Sequence, residues 1–130
     1  MLDSGTITAN LPAADLARAR GFYADMLGLQ PVQELGEDML VYRTSGGSAF
    51  SVYRTEYAGT AGHTLAQWHV DDVDAEVKAL RDKGVTFEEY DMPGVEWADG
   101  VASMPGMGKA AWFKDTEGNI LCIDSGLPGV

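Results

Sequence analysis

The sequence is poor in cysteine and has no long apolar run. Cys122 is the only cysteine among 130 residues, so no disulfide can form within the chain, which is typical of proteins in a reducing compartment. No apolar stretch approaches the roughly 18 residues that span a bilayer. The first five residues include one acidic side chain, Asp3, and no basic one, whereas a signal peptide begins with basic residues. These features predict a cytoplasmic protein.

Basic residues are also scarce. The chain has 9 Lys and Arg against 20 Asp and Glu, a net charge of −11. Nucleic acids and anionic membrane surfaces attract basic faces, so we expect neither as a partner. The charge is explained most simply by solubility. It also favours a neutral or cationic ligand for any binding cleft.

The length and hydrophobic content predict one domain with a packed core, because 45% of the residues are hydrophobic. The first part of the chain predicts the order β-α-β-β-β. Polar and apolar residues alternate up to Leu11, and Pro12 is expected to end this strand. Asp15 is a predicted helix N-cap and Gly28 follows the helix. Three strands are then predicted near residues 30–35, 39–44 and 48–54.

The same order repeats in the second part of the chain. A strand is predicted over residues 65–70, a helix between Asp72 and Gly84, and further strands near residues 86–90, 101–104, 110–114 and 119–124. We therefore divide the chain into module 1 (residues 1–56), a linker (57–63) and module 2 (64–127). Residues 91–108 are expected to form a loop with apolar side chains, which is either a lid or ordinary loop packing.

Three segments resemble motifs of the vicinal oxygen chelate superfamily. They are residues 15–29, residues 70–85 and residues 112–121, in which Asp115-Thr116-Glu117-Gly118-Asn119 is similar to the D-P-D-G-N motif with Thr in place of Pro. The superfamily includes glyoxalase I, extradiol dioxygenases, fosfomycin-modifying enzymes and bleomycin-binding resistance proteins. The resemblance implies an α+β fold in which two tandem βαβββ modules form a curved mixed sheet around a cavity.

Metal enzymes of this superfamily carry ligands, mostly His, Glu or Gln, on the first and last strand of each module. The matching positions in this sequence are Thr8, Ser51, Leu65 and Cys122. These side chains are poor ligands for a divalent ion, so we expect no metal and no other cofactor. A shifted register would place Gln67 or His69 at the third position, and a divalent metal is the alternative.

Strand alternation predicts which side chains line the cavity. Together with the two tryptophans of module 2, the predicted ligand-binding residues are Thr8, Asn10, Ser51, Tyr53, Leu65, Gln67, His69, Trp97, Trp112, Cys122 and Asp124.

The histidine, the cysteine and the tryptophans of this set each have a structural interpretation as well as a functional one. His69 is the candidate catalytic residue, because imidazole transfers protons near neutral pH, but a single His at a strand end is more often a hydrogen-bonded residue at the cavity rim. Cys122 has no evident basic neighbour and is interpreted as an inert buried thiol. Trp97 and Trp112 would either stack on a flat ligand or pack in the core.

Two functions are consistent with this cavity. The first is a metal-free protein that binds a small organic molecule, such as an aromatic or cationic antibiotic. The alternative is a lyase, isomerase or dioxygenase with an atypical site, in which Gln67, His69 and Asp124 provide acid–base chemistry. A partner-binding module is a third interpretation that the sequence neither supports nor excludes. We also expect a homodimer, because related small proteins pair modules across chains and a sheet edge is otherwise exposed.

Overall fold

The computed structural model describes residues 1–126. After a short 3-10 helix at Leu2–Ser4, the elements of module 1 are β1 (Ala9–Ala13), α1 (Leu16–Asp25), β2 (Gln33–Leu35), β3 (Met39–Arg43) and β4 (Ala49–Arg54). The elements of module 2 are β5 (Thr64–His69), α2 (Val73–Asp82), β6 (Phe87–Glu88), β7 (Glu96–Ala98), β8 (Val101–Met104), β9 (Gly108–Lys114) and β10 (Ile120–Asp124). Within residues 1–126, neither helix is long and apolar enough to cross a membrane.

The strands form two sheets, one from each module. The first sheet has the order β1-β4-β3-β2, and the second has the order β5-β10-β9-β8-β7, with β6 also pairing with β9. The pairs β1–β4 and β5–β10 are parallel, and the remaining pairs are antiparallel. This arrangement confirms the predicted mixed α+β fold, although the two sheets do not join into a closed sheet.

One core holds the two modules together. Buried Leu11, Tyr23 and Tyr42 of module 1 pack in the same cluster as Phe113 and Leu121 of module 2. The predicted caps hold as well, because Asp15 accepts a hydrogen bond from the Arg18 N–H and Asp72 accepts one from the Ala75 N–H, both at 3.0 Å. Burial of one face of each sheet against this core leaves the opposite faces open.

Two sequence-based predictions on strands were wrong. Pro12 lies inside β1, because β1 is an edge strand that pairs only with β4, where a missing N–H is tolerated. Residues 91–108 are not simply a loop, because they contain β7, which was not predicted, before the strand predicted near residues 101–104, which is β8. Asp99 and Gly100 connect these strands with φ values of 51° and 82°, and an Asp-Gly pair with positive φ is a strong hairpin signal that the sequence already carried.

Candidate functional site

The open face of the module 2 sheet carries a small pocket of about 180 Å³. Four of the predicted site residues line it, namely Gln67, Trp112, Cys122 and Asp124. Strands β5, β9 and β10 bring them together, because Gln67, Cys122 and Trp112 are neighbours in register across the three strands. The remaining lining residues are Met104, Met107, Ala110 and Gly126.

Asp124 organises the polar end of this pocket. Its buried carboxylate accepts hydrogen bonds from Gln67 Nε2 at 2.8 Å and from the Gly126 N–H at 2.9 Å. His69 Nδ1 lies 2.5 Å from Asp124 Oδ1. Because an ionised carboxylate only accepts hydrogen bonds, the N–H of this bond is on Nδ1 of the imidazole. The structure therefore places His69 beside the pocket through Asp124, as a half-exposed residue.

Trp112 is the aromatic residue that lines the pocket, and two further aromatic rings pack beside it. The ring centroids of Tyr90 and Trp97 each lie 5.9 Å from that of Trp112. The Trp112 indole N–H donates to Thr64 Oγ1 at 3.1 Å, and the Tyr90 hydroxyl donates to Glu88 Oε2 at 2.6 Å. With its N–H satisfied, Trp112 presents an apolar surface of fixed orientation, as flat ligands require.

The Cys122 thiol is not activated. Burial, followed by the negative charge of Asp124, raises the pKa of Cys122 to about 12. Its Sγ donates a weak bond to the Ile123 carbonyl oxygen at 3.6 Å. The protonated thiol is a poor nucleophile and a poor metal ligand, which fits the expectation of an inert buried cysteine.

Leu65 does not follow the alternation predicted for its strand. The register between β5 and β10 shifts, so that Ile120 pairs with Thr64 and the next residue of β10, Leu121, pairs with Ala66. Leu65 and Ala66 both pack against the hydrophobic core. The bulge thus turns Leu65 away from the face that carries Gln67, and the bulge leaves no periodic signal in the sequence.

The predicted site residues of module 1 lie on a different surface. Asn10 and Ser51 are paired in register on β1 and β4, and Tyr53 lies two residues further along β4. Thr8 precedes β1 and is exposed. None of these four residues lines the module 2 pocket, so the structure does not bring the two predicted half-sites together within residues 1–126.

Three of the four positions that match metal ligands in the superfamily are poorly suited to hold a metal ion. Thr8 is outside its strand, Leu65 packs against the core, and the Cys122 thiol holds its proton. Elsewhere in residues 1–126, no three His, Cys, Asp or Glu side chains lie close enough together to hold a metal.

The predicted site set lacks four residues that line this pocket, Met104, Met107, Ala110 and Gly126, and also lacks Tyr90. Met104 and Met107 line the pocket from the β8–β9 hairpin, and Tyr90 flanks Trp112. Both methionines belong to the segment 91–108, for which the sequence predicts a loop with apolar side chains. The strand predicted near residues 101–104 already contained Met104, and its pairing with β9 brings that side chain to the pocket.

A larger cavity, of about 400 Å³, lies on the opposite side of the sheets, between the modules. Its apolar residues include Trp68, Leu80, Phe113 and Ile123, which belong to or pack against the shared core. None of the predicted site residues lines this cavity.

Comparisons with known proteins agree with this fold. The family model described as the Glyoxalase/Bleomycin resistance protein/Dioxygenase superfamily matches residues 6–123. No curated protein matches the chain.

Solved structures with the same fold have diverse descriptions. The fosfomycin resistance protein FosX from Listeria monocytogenes, complexed with manganese(II) and a dihydroxypropylphosphonic acid, is 15% identical with a TM-score of 0.68, covering 96% of this chain and 92% of its own. TnmS3, an antibiotic binding protein from Streptomyces sp. CB03234, is 20% identical with a TM-score of 0.62, covering 92% and 94%.

A third structure is described as a lactoylglutathione lyase from Agrobacterium tumefaciens. It is 19% identical with a TM-score of 0.63, covering 92% of each chain. At these identities the structures establish the fold, while the family model spans most of the sequence. The chain therefore belongs to the glyoxalase/bleomycin resistance protein/dioxygenase superfamily.

Proposed function

We propose that this protein binds a flat, neutral or cationic organic molecule on the open face of module 2, without a metal or other cofactor. The observation that carries the proposal is the composition of the pocket, where the Trp112 indole and the Met104 and Met107 thioethers face one buried carboxylate, Asp124. Aromatic and thioether groups bind varied apolar surfaces. A single carboxylate favours a cationic group on the ligand.

The surroundings of the pocket support binding more than covalent catalysis. The Cys122 thiol is protonated because of its raised pKa, and the net charge of −11 attracts cations toward the protein. The antibiotic binding protein TnmS3 has the same fold. Sequestration of an antibiotic is therefore the role that we propose.

We also propose that a second copy of the chain completes the site. The pocket of about 180 Å³ is smaller than the roughly 300 Å³ or more of typical ligand sites. On the open face of module 1, Leu35, Met39, Tyr53 and Pro12 form an apolar row in register across the sheet. Leu35 and Tyr53 are 45% and 36% exposed, so this row is available to cover a partner's module 2 face.

Titration with acridine orange, a flat cation, tests the binding proposal. We expect saturable binding that weakens about tenfold in Asp124→Asn and in Trp112→Phe, and that dissociation returns the dye chemically unchanged. Asp38→Asn removes the same charge from an exposed position outside the pocket and should leave the affinity nearly unchanged. If Asp124→Asn and Asp38→Asn weakened dye binding equally, the loss of affinity would come from the change in net charge, which would contradict the proposed pocket.

Light scattering at micromolar concentration tests whether the chain forms a dimer. We expect a dimer for the wild type and a folded monomer for Tyr53→Arg, because the new charge would be buried in the apolar row. A wild-type monomer that still binds the dye would contradict pairing while leaving the pocket proposal intact.

Acid–base catalysis is a second candidate, favoured by the orientation of His69 by Asp124. A carboxylate that fixes the proton on Nδ1 leaves Nε2 able to take a proton from a substrate. Incubation with lactoylglutathione, the compound in the name of the Agrobacterium relative, tests this function. Turnover that disappears in His69→Gln, with the fold unchanged, would favour an enzyme over a binding protein.

A further inference from the structure

We propose that the cavity between the modules is a second ligand site, which binds a planar apolar molecule carrying one carboxylate. It lies on the core side of the sheets and shares no lining residue with the module 2 pocket. Its volume of about 400 Å³ falls within the range of small-molecule sites.

The base of this cavity is apolar and rigidly held. Phe113 and Ile123 are buried in the shared core, and Trp68 packs beside them. The Trp68 ring meets the Phe50 ring edge-to-face, with centroids 5.8 Å apart. This contact joins β5 of module 2 to β4 of module 1, so it fixes the orientation of the indole. A flat ring lying on Trp68 would bury apolar surface without reordering the site.

Arg43 gives this cavity a positive charge, whereas the module 2 pocket carries the negative charge of Asp124. Of the nine Lys and Arg side chains, eight bond to a carboxylate or to a backbone carbonyl oxygen within residues 1–126. Arg43 is the exception in this part of the chain, although acidic residues outnumber basic ones by 20 to 9. Arg43 lines the cavity and is exposed, and a carboxylate bound there could accept two parallel hydrogen bonds from a guanidinium.

The other polar residues at the cavity refine the ligand class. Thr44 and Ser45 follow Arg43 at the end of β3, and their hydroxyls can donate to the same carboxylate. Glu76 of α2 also lines the cavity. Its negative charge disfavours a ligand with a second anionic group, so the geometry selects a monocarboxylate over a dicarboxylate.

Three tryptophans allow the two sites to be observed separately. Trp68 lines this cavity, whereas Trp112 lines the module 2 pocket and contacts Trp97. In ¹H–¹⁵N spectra of the whole protein, the indole N–H signal of Trp68, assigned with Trp68→Phe, would report the cavity. The probes are 2-naphthoate and its uncharged analogue 2-naphthalenemethanol.

We expect 2-naphthoate to shift the Trp68 signal. Arg43→Gln should weaken the binding of 2-naphthoate at least fivefold and leave the affinity for 2-naphthalenemethanol unchanged. Glu76→Gln should strengthen 2-naphthoate binding. Arg54→Gln, which removes the same charge at a residue outside the cavity, is the matched control, and the spectra themselves verify folding. Shifts confined to Trp97 and Trp112, or equal affinities in Arg43→Gln and Arg54→Gln, would overturn the proposal.

Discussion

The carboxylate of Glu117 lies 2.9 Å from the Arg18 Nε and joins the turn between β9 and β10 to helix α1 of the other module. The Glu117 side chain is wholly buried, and it also accepts hydrogen bonds from the N–H groups of Ala14 and Asp15 at 2.9 Å. Together these bonds satisfy donors at the start of α1. Glu117, 99 positions away from Arg18, thus holds the chain at the start of the first helix beside its N-cap, Asp15.

This arrangement predicts an acid-sensitive fold. Burial alone would raise the pKa of Glu117, but hydrogen bonds from Arg18, the Asp15 N–H and the Thr116 hydroxyl outweigh it and lower the pKa to about 2, from an ordinary value of 4.5. Because the pKa is lower in the folded state, the stabilisation is complete above about pH 5 and is lost as the pH falls from 4.5 toward 2. We expect Glu117→Gln to cost roughly 2–3 kcal/mol at pH 7 and much less at pH 3.

Urea unfolding at pH 7, 4 and 3 measures this difference. Glu37→Gln is the control, since Glu37 is exposed in the turn between β2 and β3. A cost for Glu117→Gln that is the same at pH 7 and pH 3 would contradict the linkage.

Two adjacent buried tyrosines should respond differently to loss of the hydroxyl. The Tyr23 hydroxyl donates to Asp115 Oδ2 at 2.8 Å, whereas the buried Tyr42 hydroxyl has no hydrogen-bond partner within the described residues. Their ring centroids are only 5.6 Å apart. We expect Tyr23→Phe to cost about 1–3 kcal/mol, because Asp115 loses a donor, and Tyr42→Phe to be neutral or stabilising.

The free energy of unfolding of each variant, from urea titrations at pH 7, tests this pair. If Tyr23→Phe and Tyr42→Phe changed the free energy of unfolding equally, the hydrogen bond from Tyr23 to Asp115 would not contribute to stability.

The Cys122 thiol should be unreactive in the folded protein. Burial and the charge of Asp124 raise its pKa to about 12, so very little thiolate is present at pH 8. We expect iodoacetamide to alkylate Cys122 far more slowly in the native protein than in urea, as followed by intact-mass measurement. Native alkylation as fast as that of the unfolded chain would restore Cys122 as a candidate nucleophile.

Substitution of Gly100 and Gly94 by Ala separates the cost of a positive φ from the cost of a steric clash. Both have positive φ, at 82° and 78°. A Cβ at Gly100 would lie 2.9 Å from the Phe87 Cβ, while one at Gly94 would meet nothing within 4 Å. We expect Gly94→Ala to cost about 1 kcal/mol through its φ alone, and Gly100→Ala to cost about 1–3 kcal/mol more through the clash.

Thermal unfolding of the two variants gives the comparison. If Gly100→Ala were no less stable than Gly94→Ala, the contact between the β7–β8 turn and Phe87 would not be as close as the structure has it.

Local signals in the sequence were enough for most of the fold. Asp15 and Asp72 predicted both helix starts because N-caps act on the adjacent backbone. The Asp115–Asn119 turn and the repeated β-α-β-β-β order predicted the two modules. Alternation within each strand also placed Gln67 and Asp124 among the cavity-facing residues, and both line the pocket.

Features that depend on contacts between distant segments could not be predicted. The bulge that turns Leu65 toward the core arises from the register between β5 and β10, which a one-strand pattern does not contain. The cavity containing Arg43 and Trp68 exists only because the two modules pack through a shared core.

Periodicity and caps determined by themselves which segments of this protein become strands and helices, because those preferences act within a few residues. Only the tertiary structure decided that Gln67 meets Asp124 while Asn10 and Tyr53 lie on a separate face. The physical reason is that the burial of apolar side chains from both modules in one core sets how the sheets lie, and no single segment encodes that packing.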